Sequence, residues 1–92
     1  MEKSKQVPVL VDFTADWCAP CRVMGPILNR LSQTTGQFVV ATVDTDEQQK
    51  LAGRYGIRGL PTFKLFRHGE VVAEKSGVQA ESVLRNLIED HC

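Results

Sequence analysis

Two cysteines, Cys18 and Cys21, lie where an apolar run ends and a helical pattern begins. The run before them, residues 7–13, is short, rich in β-branched residues and almost continuously apolar, which predicts a strand buried on both faces. After them, apolar residues recur at intervals of three and four, the period of an amphipathic helix: Met24, Ile27, Leu28 and Leu31. The pattern therefore places Cys18 at the N-terminus of a helix.

This position favours reactive sulfur. Unpaired backbone N–H groups and the positive end of the helix dipole stabilise a thiolate, so Cys18 is expected to be the more acidic and more exposed cysteine. Cys21 lies one turn further along, on the buried stripe, and is expected to be shielded. An accessible thiolate attacks a disulfide, and a second thiol nearby then displaces the mixed disulfide. The spacing predicts a redox-active disulfide in which Cys18 is the nucleophile and Cys21 resolves the intermediate.

The composition is that of an ordinary globular protein. A chain of 92 residues with 42% hydrophobic and 24% charged residues predicts a single domain over residues 1–92, and argues against disorder or a membrane span. Eleven basic residues balance eleven acidic ones, so no attraction to nucleic acid or to a membrane surface is expected. Partners must then be recognised by shape and local chemistry.

Cysteine usage suggests redox chemistry in a reducing compartment. The apolar run after the charged N-terminus ends at Asp12, so this run is too short for the apolar core of a signal peptide. A cytoplasmic location is therefore expected. The alternative for the cysteine pair is half of a zinc site, which needs four ligands. The other candidates, Cys92, His68, His91 and carboxylates, do not form a second pair, so no metal is expected.

Periodicity and turn residues predict the order β-α-β-α-β-β-α. After the first strand, a helix is predicted over 18–35 that bends at Pro26 and ends at Gly36, followed by a strand over 38–43. A capping box from Thr45 to Gln48 is predicted to open a short helix that ends near Gly53. Strands over 62–66 and 70–75 are then joined by a tight turn at residues 67–69, and a final helix pairs Glu81 with Arg85.

Two segments, residues 11–21 and 55–62, resemble the thioredoxin family in residue type and spacing, and the likeness runs from about Val7 to the C-terminus. It implies an α/β thioredoxin fold, with a four-stranded mixed sheet in the order second, first, third, fourth strand and helices on both faces. Thioredoxins usually begin with a further strand and helix, for which six residues before Val7 are too few. The strand over 38–43 is then an edge, expected to pair with the N-terminal residues, to pair with a second copy in an otherwise monomeric protein, or to lower stability.

The resemblance assigns a role to Asp12. A carboxylate within an apolar strand either reaches solvent at the strand end or lies buried with a raised pKa. Thioredoxins carry at this place an Asp that takes a proton from the resolving cysteine, here Cys21. They commonly place a Lys beside it, but the matching residue here is Thr42, so the pKa of Asp12 is expected to be raised further.

The resemblance also implies a substrate surface. Thioredoxin-fold proteins place a cis-proline next to the disulfide, here Pro61, so that the Leu60 backbone turns outward and pairs with an extended substrate segment. The expected apolar rim around Cys18 consists of Trp17, Ala19, Pro20, Leu60, Pro61, Gly77 and Val78. Most thioredoxins have Gly where Ala19 stands and Lys where Arg22 stands.

The resemblance implies a thiol-disulfide oxidoreductase that reduces disulfides in protein substrates. Regeneration by an NADPH-dependent thioredoxin reductase is expected, with no bound cofactor. Three alternatives stay open: a glutaredoxin-like enzyme, although glutaredoxins usually have Pro-Tyr between the cysteines; an oxidase or isomerase, which the redox potential distinguishes; and a binding module that has the fold without exchange activity.

Overall fold

The computed structural model describes residues 7–34 and 38–91. Its elements are β1 (Val9–Thr14), α1 (Ala19–Thr34), β2 (Val39–Asp44), α2 (Gln49–Arg54), β3 (Thr62–Arg67), β4 (Glu70–Ser76) and α3 (Glu81–Glu89). The predicted order is confirmed, and apart from the start of α2 the boundaries agree within about two residues, the usual scatter at element ends. The predicted helix end at Gly36 lies outside the described residues.

The strands form one sheet in the order β2-β1-β3-β4, as predicted. β1 is parallel to β2 and antiparallel to β3, and β3 is antiparallel to β4. Residues 9–13 of β1 are at most 4% exposed, which confirms that this central strand is buried on both faces.

Two apolar clusters cover the faces of β1. On one face, Leu10 packs with Phe63 and with residues of α1 and α3 such as Met24 and Leu84. On the other face, Phe13 and its neighbours pack with Phe66 and with Tyr55, which follows α2. The alternation of side chains along a strand produces this division.

Helix α1 passes through Pro26 without ending, as predicted, and its stripe of Cys21, Met24, Leu28 and Leu31 is buried. Glu81 accepts hydrogen bonds from Arg30 at 2.9 Å and from Arg85, so the predicted i, i+4 pair at the start of α3 is confirmed. The Arg30 contact also ties α1 to α3.

The turn between β3 and β4 is tight, as predicted. His68 and Gly69 both have positive φ, 55° and 80°, the conformation of a type I′ hairpin turn. His68 is exposed, whereas the half-buried His91 ring contacts the Leu87 carbonyl at 2.9 Å. Cys92 lies outside the described residues.

The predicted capping box before α2 was wrong. The Thr45 hydroxyl donates to the Thr14 carbonyl at 3.1 Å, and Asp44 instead accepts the backbone N–H groups of Asp46 and Glu47 at 2.8 and 3.2 Å. Because these contacts form a side-chain turn after β2, α2 begins only at Gln49 and its N-cap residue, Gln48, makes no capping hydrogen bond.

β2 has β1 as its one neighbour within the part of the chain that is described. Pairing of this edge by the N-terminal residues involves positions 1–6, which lie outside the described ranges. Pairing by the N-terminal residues, pairing with a second copy of the chain and lower stability all stay predictions for this edge. Among residues 7–34 and 38–91, no helix has the length and apolarity that crossing a membrane requires.

Candidate active site

Cys18 and Cys21 are joined in a disulfide, with their Cα atoms 5.3 Å apart. Cys18 immediately precedes Ala19, the first residue of α1, and Cys21 lies within the first turn. The loop that leads from β1 to α1 places the pair there, since the Cys18 N–H donates to the Ala15 carbonyl at 3.1 Å. The sequence prediction of a sulfur at the helix N-terminus is confirmed.

The predicted difference in exposure was wrong for this disulfide form. Cys18 is 3% exposed and Cys21 is 6% exposed, because both side chains pack with Ala15 and against Leu60. The Cys21 N–H donates to Cys18 Sγ at 3.2 Å. A hydrogen bond of this kind stabilises negative charge on that sulfur once the disulfide is reduced, so the helix N-terminus favours a thiolate at Cys18 even though its side chain is buried.

Asp12 lies within β1 and is only 4% exposed, which excludes the solvent-reaching alternative. Burial raises its pKa from 3.8 to about 6, because the charged carboxylate loses its hydration. Among the described residues, its Oδ1 has no hydrogen-bond partner. Thr42 lies directly opposite Asp12 in the β1–β2 register, as expected. The prediction of a buried carboxyl with a raised pKa is therefore confirmed.

A cleft of about 380 Å³ lies between this carboxyl and Cys21. Asp12, Cys21 and Thr42 all line it, together with polar residues of α1 such as Asn29 and Ser32. The buried carboxyl and the resolving cysteine thus line the same cleft. This is the arrangement that proton exchange between Cys21, Asp12 and water requires.

Only some of the residues predicted to form the apolar rim around Cys18 are exposed. Trp17, Ala19, Pro20 and Val78 are exposed, and Leu60 and Gly77 are half-buried. Pro61 is buried, and its carbonyl accepts the Gly77 N–H at 2.8 Å, so the proline itself adds little exposed surface and its role in substrate binding stays a prediction.

The peptide bond between Leu60 and Pro61 is cis, as the resemblance implied. The hydrogen bonds around it involve its neighbours: Pro61 accepts from Gly77, and the Gly59 carbonyl accepts from the Thr62 hydroxyl at 2.6 Å. Within the described residues, the Leu60 N–H and C=O have no such partner.

Sequence reasoning missed a polar contact that fixes the tryptophan. The indole N–H of Trp17 donates to Asp46 Oδ2 at 2.9 Å, across 29 residues of chain. No local pattern marks Asp46, because the contact depends on the loops after β1 and β2 lying side by side. Arg22, where most thioredoxins have Lys, donates to the Asp16 carbonyl at 2.8 Å.

Among residues 7–34 and 38–91, no group of three or more His, Cys, Asp or Glu residues could hold a metal ion.

Similarity to known proteins agrees with this site. A family model described as Thioredoxin matches residues 1–90. Thioredoxin 1 from a Nostoc species is 41% identical over 86 residues, covering 92% of this chain and 80% of the relative. The thioredoxin of Bacillus subtilis is 38% identical over 84 residues, covering 90% and 81% of the two chains.

Solved structures show the same likeness. A mutant thioredoxin from Halobacterium salinarum is 45% identical with a TM-score of 0.88, and the match covers 97% of this chain and 77% of that one. Fasciola hepatica thioredoxin is 33% identical with a TM-score of 0.91, covering 99% and 86%. With its Cys18–Cys21 disulfide at the start of α1, the chain belongs to the thioredoxin family and is a thiol-disulfide oxidoreductase.

Proposed function

We propose that the protein reduces disulfides of other proteins in a cycle carried by Cys18, Cys21 and Asp12. The observation that supports this most directly is the cleft along α1 that Asp12 and Cys21 both line. It joins Cys21, one member of the sulfur pair, to a carboxyl whose pKa, about 6, lies near neutrality.

The first step is attack by the Cys18 thiolate on one sulfur of the client disulfide. The other client sulfur leaves as a thiolate, and Cys18 is then bonded to the client in a mixed disulfide. The Cys21 thiol loses its proton and attacks Cys18 Sγ, which releases the second client thiolate. The client gains two electrons, and Cys18 and Cys21 are left as the disulfide seen in the structure.

Asp12 is the proposed acceptor of the Cys21 proton. With a pKa of about 6, its carboxylate is mostly ionised at neutral pH yet remains basic enough to bind a proton. Its Oδ1 has no hydrogen-bond partner within residues 7–34 and 38–91, so no hydrogen bond to those residues has to be broken first. Water in the cleft can then carry the proton away without crossing the surface that the client covers.

Client binding is proposed on the other side of the sulfurs. An extended client segment pairs with the unbonded backbone groups of Leu60, and apolar client side chains contact the exposed surfaces of Trp17, Pro20 and Val78. Main-chain pairing provides affinity without demanding one sequence, which suits an enzyme that acts on several proteins.

Regeneration is proposed to come from a separate NADPH-dependent thioredoxin reductase in the cytoplasm, without a cofactor bound to this chain. The same two thiols serve both half-reactions, since the oxidised pair is itself a disulfide substrate for the reductase.

The test is reduction of insulin by the protein in the presence of NADPH and a thioredoxin reductase. Cys18→Ser should abolish turnover, Cys21→Ser should accumulate a mixed disulfide with the client, and Cys92→Ser serves as the control cysteine variant. A wild-type protein with no Cys18-dependent rate would instead be a binding module. Activity with glutathione and none with the reductase would favour a glutaredoxin-type enzyme.

A further inference from the structure

A second cavity, of about 210 Å³, borders the proposed client surface. Trp17, Thr45, Ile57 and Leu60 line it, and Leu60 also packs against the cysteine pair. The polar atoms of two of these walls are already bonded within the protein: the indole N–H of Trp17 to Asp46 and the Thr45 hydroxyl to the Thr14 carbonyl. These residues therefore present mainly apolar surface to a bound ligand.

Arg58 is the charged member of the same lining. The Arg58 side chain is exposed. Within the described residues, its guanidinium forms no salt bridge, since those that occur involve Arg30, Lys64 and Arg85. A guanidinium carries five N–H donors in a plane that matches a carboxylate. The cavity thus combines apolar walls with one uncommitted cation.

We propose that this cavity binds an acidic side chain, Asp or Glu, of the client polypeptide close to its reactive cysteine, and that Arg58 determines this preference. The inference rests on the proposed function. A client strand paired with Leu60 passes the cavity, because Arg58 is only two residues before Leu60. The methylene groups of a client Glu contact the apolar walls while its carboxylate accepts hydrogen bonds from Arg58.

The experiment measures kcat/KM for a panel of short peptide disulfides that carry Glu, Gln or Lys at each position flanking the reactive cysteine. At the position that reaches the cavity, Glu should exceed Gln by about fivefold, the upper end for a partly exposed ion pair. The preference should weaken with added salt, which screens the pair. Arg58→Gln should remove the difference between Glu and Gln, and Arg58→Glu should shift the preference to Lys.

Arg67→Gln is the matched control, because Arg67 lies at the opposite end of β3 from Pro61, and it should retain the wild-type preference for Glu. Equal rates for Glu and Gln at every position, or a Glu preference that survives in Arg58→Glu, would overturn the proposal. If the Gln peptides are still reduced at an ordinary rate in that case, only the proposed preference for acidic side chains fails, and the proposed disulfide reduction is retained. A protein that reduces none of the peptides would instead fail the proposed function itself.

Discussion

Asp12 should make the protein less stable as the pH rises. Its pKa is raised from 3.8 to about 6 in the folded state, so the unfolded chain loses this proton first. The stability that the protonated carboxyl contributes is complete below pH 3.8, declines between there and about pH 6, and is absent above. At about 1.4 kcal/mol for each pH unit, the decline amounts to about 3 kcal/mol.

Replacement of Asp12 by Asn removes the titrating group and keeps the side-chain shape. We expect the free energy of unfolding of Asp12→Asn to rise relative to wild type by about 2.4 kcal/mol between about pH 4 and pH 7. Urea titrations of both oxidised proteins across this range measure the gap. Asp16→Asn, a change at an exposed carboxylate, is the control and should shift stability by no more than about 0.5 kcal/mol.

A constant gap between wild type and Asp12→Asn across the pH range would refute the reasoning, because it would mean that Asp12 titrates alike in the folded and unfolded chains. The same variant also tests the proposed proton transfer. In insulin reduction at neutral pH, kcat should fall by about tenfold or more while KM changes little, since Asn cannot accept a proton. Equal changes in both constants would count against the role.

Three further predictions use other parts of the structure. Thr42→Lys places an ammonium opposite Asp12, so the pKa of Asp12 should fall by about one pH unit or more, which an NMR titration of the carboxyl would detect. Leu10→Ala empties a fully buried site and should cost about 3 kcal/mol in urea unfolding. Lys64 is 10% exposed and bonds to Glu74 at 2.8 Å. Glu74→Gln should therefore cost about 1 kcal/mol in the same assay, whereas Lys64→Leu should be nearly neutral, because it removes the buried charge together with its need for a partner.

Local patterns were enough to predict most of the elements. The apolar run before Asp12 is short, continuous and rich in β-branched residues, which is typical of a buried strand. The stripe that contains Cys21 has the period of an amphipathic helix. The hairpin at His68 and Gly69 was also predictable from local sequence, because a two-residue turn restricts which residues can occupy it. The start of α2 was not, because the Thr45 hydroxyl could bond either to its own helix or to Thr14, and the choice depends on how two loops meet.

The site divides along similar lines. Sequence spacing alone placed one sulfur at a helix N-terminus and the other one turn later, because three residues of helix bring both to the same face. The tertiary structure decided how deeply each sulfur lies, that Asp12 and Cys21 share a cleft, that Asp46 holds Trp17, and that Arg58 borders a cavity beside the disulfide. These are contacts between residues far apart in the chain, and only the packing of the sheet, helices and loops determines which of them meet.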